Sequence, residues 1–261
     1  MSISNVVTRV RHSLDTTLRW TGSGLEPVQG APAAALLAAD SWLVDAGYER
    51  AAGAHWARFG AACRELGVPR DELVAFRSAV VAVLPPEGRW FPRVELTGGG
   101  LALRLRRAPP LQRDARVLVG APGDPRRRPR RKGPDLELLA GLREQARGAG
   151  ADELLLCDGR GRLLEGALSS LLWWEDGVLW TTPDESALPG VTRALLLSIA
   201  GERGVPVRRR APDPAELAGR EAWLTSALHG IRAVSAWVAP RQEAGPPARA
   251  GEWREALDRH G

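Results

Sequence analysis

One residue in this chain carries a side-chain amine. Among 36 basic residues only Lys132 is a lysine, in the run Arg130-Arg131-Lys132-Gly133-Pro134-Asp135-Leu136. Arginine keeps its proton in a protein, whereas burial or a nearby cation brings a lysine amine into nucleophilic range near neutrality. A chain that uses arginine everywhere else either needs an amine at this point or keeps one by chance. Three other pieces could join it. Leu188-Pro189-Gly190-Val191-Thr192-Arg193 reads as a helix start whose first amides, of Val191 and Thr192, have no intrahelical partner; it is an ordinary helix start or a phosphate site. Leu164-Glu165-Gly166 sets a carboxylate between apolar segments, as an ion-paired group or as the acid that keeps a ring nitrogen protonated. His55-Trp56-Ala57-Arg58-Phe59 puts His55 and Arg58 on one helix face, where Arg58 offers its planar fork to a phosphate or to solvent. An amine for an aldehyde, a helix end and a guanidinium for a phosphate, and an acid for a pyridine nitrogen are together what pyridoxal 5'-phosphate requires.

These groups need elements to hold them. After a polar lead-in over residues 1–17, Leu18–Gly22 and Gly24–Val28 read as a hairpin with glycine at its turn, and Leu36–Val44 as a strand ended by Asp45-Ala46-Gly47. Helical spacing runs from about Ala51 to Leu66 and stops at Gly67-Val68-Pro69. A second helix is expected from an N-cap at Asp71 to about Leu84, before Pro85-Pro86. Phe91–Leu96, Leu101–Leu105 and Arg116–Val119 read as strands, and Gly120–Arg131 as a linker. Beyond it come a helix over Asp135–Gly148, a strand at Glu153–Cys157 and an extended Leu163–Trp174. A turn at Glu175-Asp176-Gly177 leads to a strand over Val178–Thr182, and a helix follows over Val191–Glu202. The last elements are an extended Pro206–Arg210, a short helix at Pro214–Ala218, and strands at Glu221–Thr225 and Ile231–Val238. The expected division is a small α+β domain over 1–119, a linker over 120–131 and a larger α/β domain over 132–261.

Composition narrows the classes. Apolar residues make up 44% of the chain, enough for real cores. No apolar stretch is long enough for a membrane span and the N-terminus has no apolar signal core, so a cytoplasmic protein without membrane partners is expected. Cys63 and Cys157 are too far apart and too isolated for a disulfide framework or a zinc site, and no metal is expected. The net charge of +5 is concentrated at Arg126–Arg131. That run suits phosphate backbones, yet no nucleic-acid-binding motif accompanies it, and no nucleic-acid partner is expected.

The order HxxRF, lone lysine, EG, LPGVTR and a TSALHGI loop resembles the class IV aminotransferase family over roughly residues 18–238. These are fold-type IV pyridoxal-phosphate enzymes, among them branched-chain and D-amino acid aminotransferases and 4-amino-4-deoxychorismate lyases. The resemblance implies two α/β domains with the cofactor between them, a homodimer, and Lys132 as the Schiff-base lysine that also moves protons. It implies Arg58 and the amides of Val191 and Thr192 at the cofactor phosphate, and Glu165 at the pyridine nitrogen. Ser169 and Ser170 fall near the ring, and the Ser226–Ile231 loop, Ala227 included, edges phosphate and substrate. Ser41, Arg93, His229 and Arg232 are candidates for the substrate.

The chain also departs from the family pattern. No FGDG-type stretch is recognisable ahead of Asp40-Ser41-Trp42; Glu137 stands where branched-chain enzymes keep a tyrosine, and Asp135 where an asparagine is frequent. Ser226-Ala227-Leu228-His229-Gly230-Ile231 is closer to the NALxxV pattern of the lyases than to GTAAEV, with serine for asparagine. The expected activity is transamination of an amino acid or amino-acid-like substrate. The alternatives are elimination giving 4-aminobenzoate and pyruvate, and a catalytically silent binding protein. Trp42, Trp173 and Trp174 either line a site for a flat substrate or belong to the core.

Overall fold

Two strands around a glycine turn open the first folded unit: β1 (Asp15–Trp20) pairs antiparallel with β2 (Leu25–Pro27), Leu18 facing Pro27 and Trp20 facing Leu25. Gly22 makes the turn at φ 91°, where a side chain would be strained. The computed structural model describes residues 15–28 and 34–260. The expected polar lead-in therefore lies outside the described residues up to position 14, and its last three residues belong to β1.

β3 (Leu36–Ser41), β7 (Arg93–Thr97) and β8 (Gly100–Arg106) complete a five-stranded sheet in the order β2-β1-β8-β7-β3, antiparallel throughout. The period-2 pleat sorts β8 by face: Leu101, Leu103 and Leu105 are buried in the core, and Arg104 and Arg106 share the other face. Two helices cover the apolar side, α1 (Ala52–Glu65) and α2 (Arg70–Val83), burying Trp56, Phe59, Cys63, Phe76 and Val80. Trp42, Trp56, Phe59, Phe76 and Trp20 meet there at tilted or edge-on angles, with ring centroids 5.4–6.1 Å apart. The Leu36–Val44 strand that the sequence suggests is present as β3 up to Ser41, and Val44 instead starts β4 (Val44–Asp45), which forms a small sheet with β5 (Tyr48–Glu49) and β6 (Arg89–Trp90). Helix α2 begins before Asp71. Pro69, with φ already set near the helical value, stands at the N-cap, and Asp71 and Glu72 fall in the first turn, where acids favour the helix dipole.

The second unit is built on an eight-stranded mixed sheet. Its strands are β9 (Asp114–Val119), β10 (Glu153–Cys157), β11 (Leu163–Gly166), β12 (Ser170–Glu175), β13 (Val178–Thr181), β14 (Val207–Arg209), β15 (Ala222–Ser226) and β16 (Gly230–Ala239). The order is β11-β10-β9-β16-β15-β12-β13-β14; β9 runs parallel to β10 and β16, and β13 to β14. The extended Leu163–Trp174 segment is broken by a turn at Ala167–Ser169, and Asp176-Gly177 make the expected tight turn with positive φ. The helices are α3 (Leu136–Gly148), α4 (Val191–Glu202) and α5 (Ala250–His260), with a 3-10 turn at Pro214–Leu217. Sequence pattern alone does not mark α5. Only Ala250, Trp253, Ala256 and Leu257 of its 11 residues are buried, a stripe too short to stand out in so polar a segment. Trp174, Trp223 and Trp253 form one edge-on cluster, so Trp174, like the fully buried Trp42 and Trp173, belongs to the core. Cys63 and Cys157 are free, and burial pushes their thiols up to about 12 and about 11.

The units divide at Pro110 rather than at residue 119, and Arg131–Pro134 returns to the first unit. Hydrogen bonds explain both shifts. β9 is held by β10 and β16, and the Lys132 carbonyl accepts the amide of Ala39 at 2.8 Å on the free edge of β3. Among the described residues no helix is long and apolar enough to cross a membrane.

Candidate active site

In the first unit the chemistry gathers around Asp40. This residue lies on β3 opposite Val94 of β7, so the pleat turns its side chain toward the helices, where it is wholly buried. Arg58 of α1 grips it with both arms, Nε to Oδ2 and Nη2 to Oδ1, each at 2.7 Å. His55, one helical turn earlier, lies 2.8 Å from Oδ1 through Nδ1, and the Ser41 amide donates to the same oxygen. Burial alone would raise the Asp40 pKa. The Arg58 charge, the hydrogen bonds from His55 and Arg58 and the charge of Lys132 outweigh it and hold the carboxyl well below the usual carboxylate range. Burial lowers the His55 pKa, against the pull of Asp40 and with the help of the Arg58 and Lys132 charges.

Lys132 belongs to this group. Desolvation pushes its amine down to about 8; Asp40 opposes the shift, and the charges of Arg58, Arg106 and Arg93 add to it. The first unit thus brings together four residues picked out by sequence, Lys132, Arg58, Arg93 and Ser41. Arg93 and Arg104 are cross-strand partners on the polar face of the sheet and share one carboxylate, Glu95, while the Arg106 Nε donates to the Phe91 carbonyl. Asp40, Arg104 and Arg106 are the members that sequence reasoning missed. The available signal for Asp40 was an acid inside the apolar run Leu36–Val44.

Gly133 fixes the approach of the lysine. Its φ is 139°, and a Cβ there would lie 2.7–3.0 Å from the backbone of Ala38. Replacing Gly133 by alanine is expected to push the Lys132 segment off β3, with loss of about 1–3 kcal/mol of stability for the strained backbone. The check is a chemical-denaturation curve together with the reactivity of the Lys132 amine; an alanine variant equal to wild type in both would show that the close approach is unimportant.

In the second unit Glu165, the third residue of β11, is buried. Arg126 makes a very close ion pair to its Oε1, and the Leu188 amide donates to the same atom at 2.9 Å; Oε2 has no hydrogen-bond partner among the described residues. Burial raises the Glu165 pKa, against the opposing charge of Arg126. Asp124 and the Ser186 carbonyl hold the rest of the Arg126 guanidinium, so this first arginine of the basic run is a buried support. Ser169, in the turn after Glu165, has a buried Oγ without a hydrogen-bond partner among the described residues.

Helix α4 has Gly190 at its N-cap, and no side chain among the described residues caps it. A Cβ on Gly190 would lie 2.5 Å from the Ser170 Oγ, so glycine lets the helix end come this close to β12 without displacing that hydroxyl. The Val191 and Thr192 amides lie at this uncapped first turn, where intrahelical partners are lacking. The Ser226–Gly230 hairpin turn is half-buried at Ala227 and His229; the Ser226 Oγ accepts the His229 amide, and His229 Nδ1 accepts the Gln112 amide at 3.2 Å. Burial and the charges of Arg232 and Arg143 bring His229 down to about 4, leaving it neutral at pH 7. Arg232 is 1% exposed and ion-paired with Glu153 at 2.7 Å.

Comparison with known proteins adds an independent line. The family model described as amino-transferase class IV matches residues 38–237. Over 74 residues the chain is 42% identical to branched-chain-amino-acid aminotransferases of Salmonella typhimurium and Escherichia coli K12. That match spans 28% of this chain and only 23% of the length of these curated relatives. The fold is similar to that of a hypothetical aminotransferase from Mycobacterium tuberculosis (TM-score 0.78, 20% identity, 94% of this chain and 97% of that one). It is also similar to that of a putative 4-amino-4-deoxychorismate lyase from Legionella pneumophila (TM-score 0.71, 20% identity, 86% and 91%).

Proposed function

Since the chain belongs to the class IV aminotransferase family, we propose that it is a pyridoxal 5'-phosphate enzyme acting on an amino acid or amino-acid-like substrate through Lys132. The observation that carries this reading is the lone lysine, held against β3 with its amine brought to about 8 beside Asp40 and Arg58.

Each unit holds donors of the kind this cofactor takes. The first has an amine near neutrality and the Arg58 guanidinium; the second has, among the described residues, an uncapped helix start, a buried carboxylate with one oxygen open and a buried hydroxyl without a partner. In this reading Lys132 holds the aldehyde end and Arg58 the phosphate. In the second unit the amides of Val191 and Thr192 also take phosphate, Glu165 holds the pyridine nitrogen, and Ser169 and Ala227 border the group. When bound, pyridoxal phosphate supplies an electron sink for charge at the substrate α-carbon. Lys132 Nζ, in its neutral form, accepts the α-proton and gives it back; desolvation, helped by the surrounding cations, weakens its hold on that proton. Arg93 and Arg104, which share the single carboxylate of Glu95, retain net positive charge for a substrate carboxylate, and Ser41 and His229 are further candidates at the substrate. The working form is proposed to be a homodimer.

We favour transamination. The lyase reading stands second, supported by the Ser226-Ala227-Leu228 pattern. Incubation with a keto acid and D- or L-amino acids, set against incubation with aminodeoxychorismate, separates amine transfer from release of pyruvate and an aromatic amine.

The amine predicts a pH dependence. Lys132 is depressed in the folded state, so the neutral form grows as pH rises through about 8. The rate at which the protein takes up pyridoxal phosphate, followed by its visible absorption, is expected to rise about tenfold per pH unit below that point and level off above it. A flat profile from pH 6 to 9 would remove the observation on which the assignment rests.

A further inference from the structure

Arg232 and Glu153 form an ion pair that solvent does not reach, with exposures of 1% and 0%. Arg232 lies in β16 just after the 226–230 turn, and its Nη2 donates to Glu153 Oε2 at 2.7 Å. Glu153 opens β10, and its other oxygen, Oε1, accepts the Leu168 amide at 3.2 Å. The neighbouring Ala167 amide donates to the Leu154 carbonyl at 2.8 Å. The start of β10 therefore pins the turn between β11 and β12, which follows Glu165 and carries Ser169. Gly166 marks the crowding: a Cβ there would overlap the Ser169 Oγ and lie 3.1 Å from the Glu153 Cγ. On the other side Arg232 Nη1 lies 3.5 Å from Gln112 Oε1, and the Gln112 amide meets His229.

A buried ion pair is a poor way to gain stability, since well-packed apolar residues of the same volume serve equally well or better. Glu153 does something that no apolar residue can: from full burial it gives the Leu168 amide a fixed acceptor, although Leu168 itself reaches solvent. Arg232 then supplies the countercharge that lets Glu153 stay there.

We propose that Glu153 and Arg232 are positioning residues, a buried strut that sets the Gly166–Ser169 turn and with it the Glu165 carboxylate and the Ser169 hydroxyl. Arg232 on this view holds protein and not a substrate carboxylate. The proposal rests on the reading that Glu165 and Ser169 meet the cofactor.

Two double variants test it. Glu153→Gln with Arg232→Met removes both charges and keeps an oxygen for the Leu168 amide; Glu153→Leu with Arg232→Met removes the acceptor as well. Hydrogen exchange at the Leu168 amide reads the strut directly, and the dissociation constant and absorption maximum of pyridoxal phosphate read its consequence. The Gln/Met protein is expected to keep the protection of Leu168 and to bind within about threefold of wild type. The Leu/Met protein is expected to lose the protection, bind about tenfold more weakly and show a shifted maximum, whatever its melting temperature. If Leu/Met matches wild type in cofactor affinity and absorption maximum, the pair is only structural and the proposal fails. If Leu168 exchanges alike in both doubles, the strut itself is refuted. If wild type binds no pyridoxal phosphate while Leu168 exchange still separates the doubles, the cofactor reading has failed and the strut survives as a support for the turn.

Discussion

Lys132→Ala is expected to abolish the visible absorption that the wild-type protein acquires with pyridoxal phosphate, and borohydride should then fix no cofactor to the chain. No second lysine exists in the sequence to substitute for the first. Loss of a positioned proton carrier alone costs about 10²–10⁴-fold in rate, and loss of the covalent anchor adds to that. Lys132→Arg is the informative companion. It preserves the cation beside Asp40, and so much of the local charge balance, but it cannot give up its proton. Both variants are expected to be inactive, while Lys132→Arg folds the better of the two. An alanine variant that still binds cofactor covalently, as judged by mass after reduction, would exclude Lys132 from the assigned role.

Asp40→Ala is expected to be the most damaging single change to the stability of the first unit. Removing one partner of a buried pair leaves the other unpaired, at a cost of about 3–5 kcal/mol, and here Arg58 and His55 both lose their acceptor while Lys132 loses its counterion. Asp40→Asn, which retains shape and one acceptor, is expected to be milder. The depressed pKa gives the pH signature. A carboxyl held below its usual value of 3.8 contributes stability that is complete above that pH and fades as pH falls toward the folded-state value. The gap between wild type and Asp40→Ala in urea midpoint should therefore be full at pH 7 and narrow progressively below about pH 4. A gap that stays constant down to pH 2.5 would show that the Asp40 charge does not contribute in this way. The same variant should weaken cofactor binding, because Arg58 is aimed by the carboxylate that it grips.

The local signals survive translation into structure better than the long-range ones. The glycine at the β1–β2 turn, the stop at Gly67-Val68-Pro69, the Pro-Gly before α4 and the lone lysine are all set by residues within a few positions of one another, and pattern alone shows them. The partners do not show in this way. Asp40 meets Arg58 across 18 residues, Arg126 meets Glu165 across 39, and Arg232 meets Glu153 across 79. Each arginine looked the same in a chain full of arginines, so the sequence could not separate the buried supports, Arg126 and Arg232, from those on the surface. The boundary between the units was hidden for a related reason. Gly120–Arg131 has the composition of a linker, but β9 is claimed by strands that come later in the chain, and Lys132 by a strand far earlier.

The hydrogen bond from Ala39 to the Lys132 carbonyl has a consequence for dissecting the protein. β3 is an edge strand, and exposed edges recruit other chains. A fragment ended at Pro110 would lose Lys132, the proposed nucleophile, and, in the same cut, uncover the β3 edge where its carbonyl had been bonded. Such a fragment should self-associate, and a short synthetic peptide spanning residues 129–136 should compete for that edge. The residue whose amine is proposed to do the chemistry thus also closes a sheet edge through its backbone carbonyl, and a chain cut free of it is expected to aggregate.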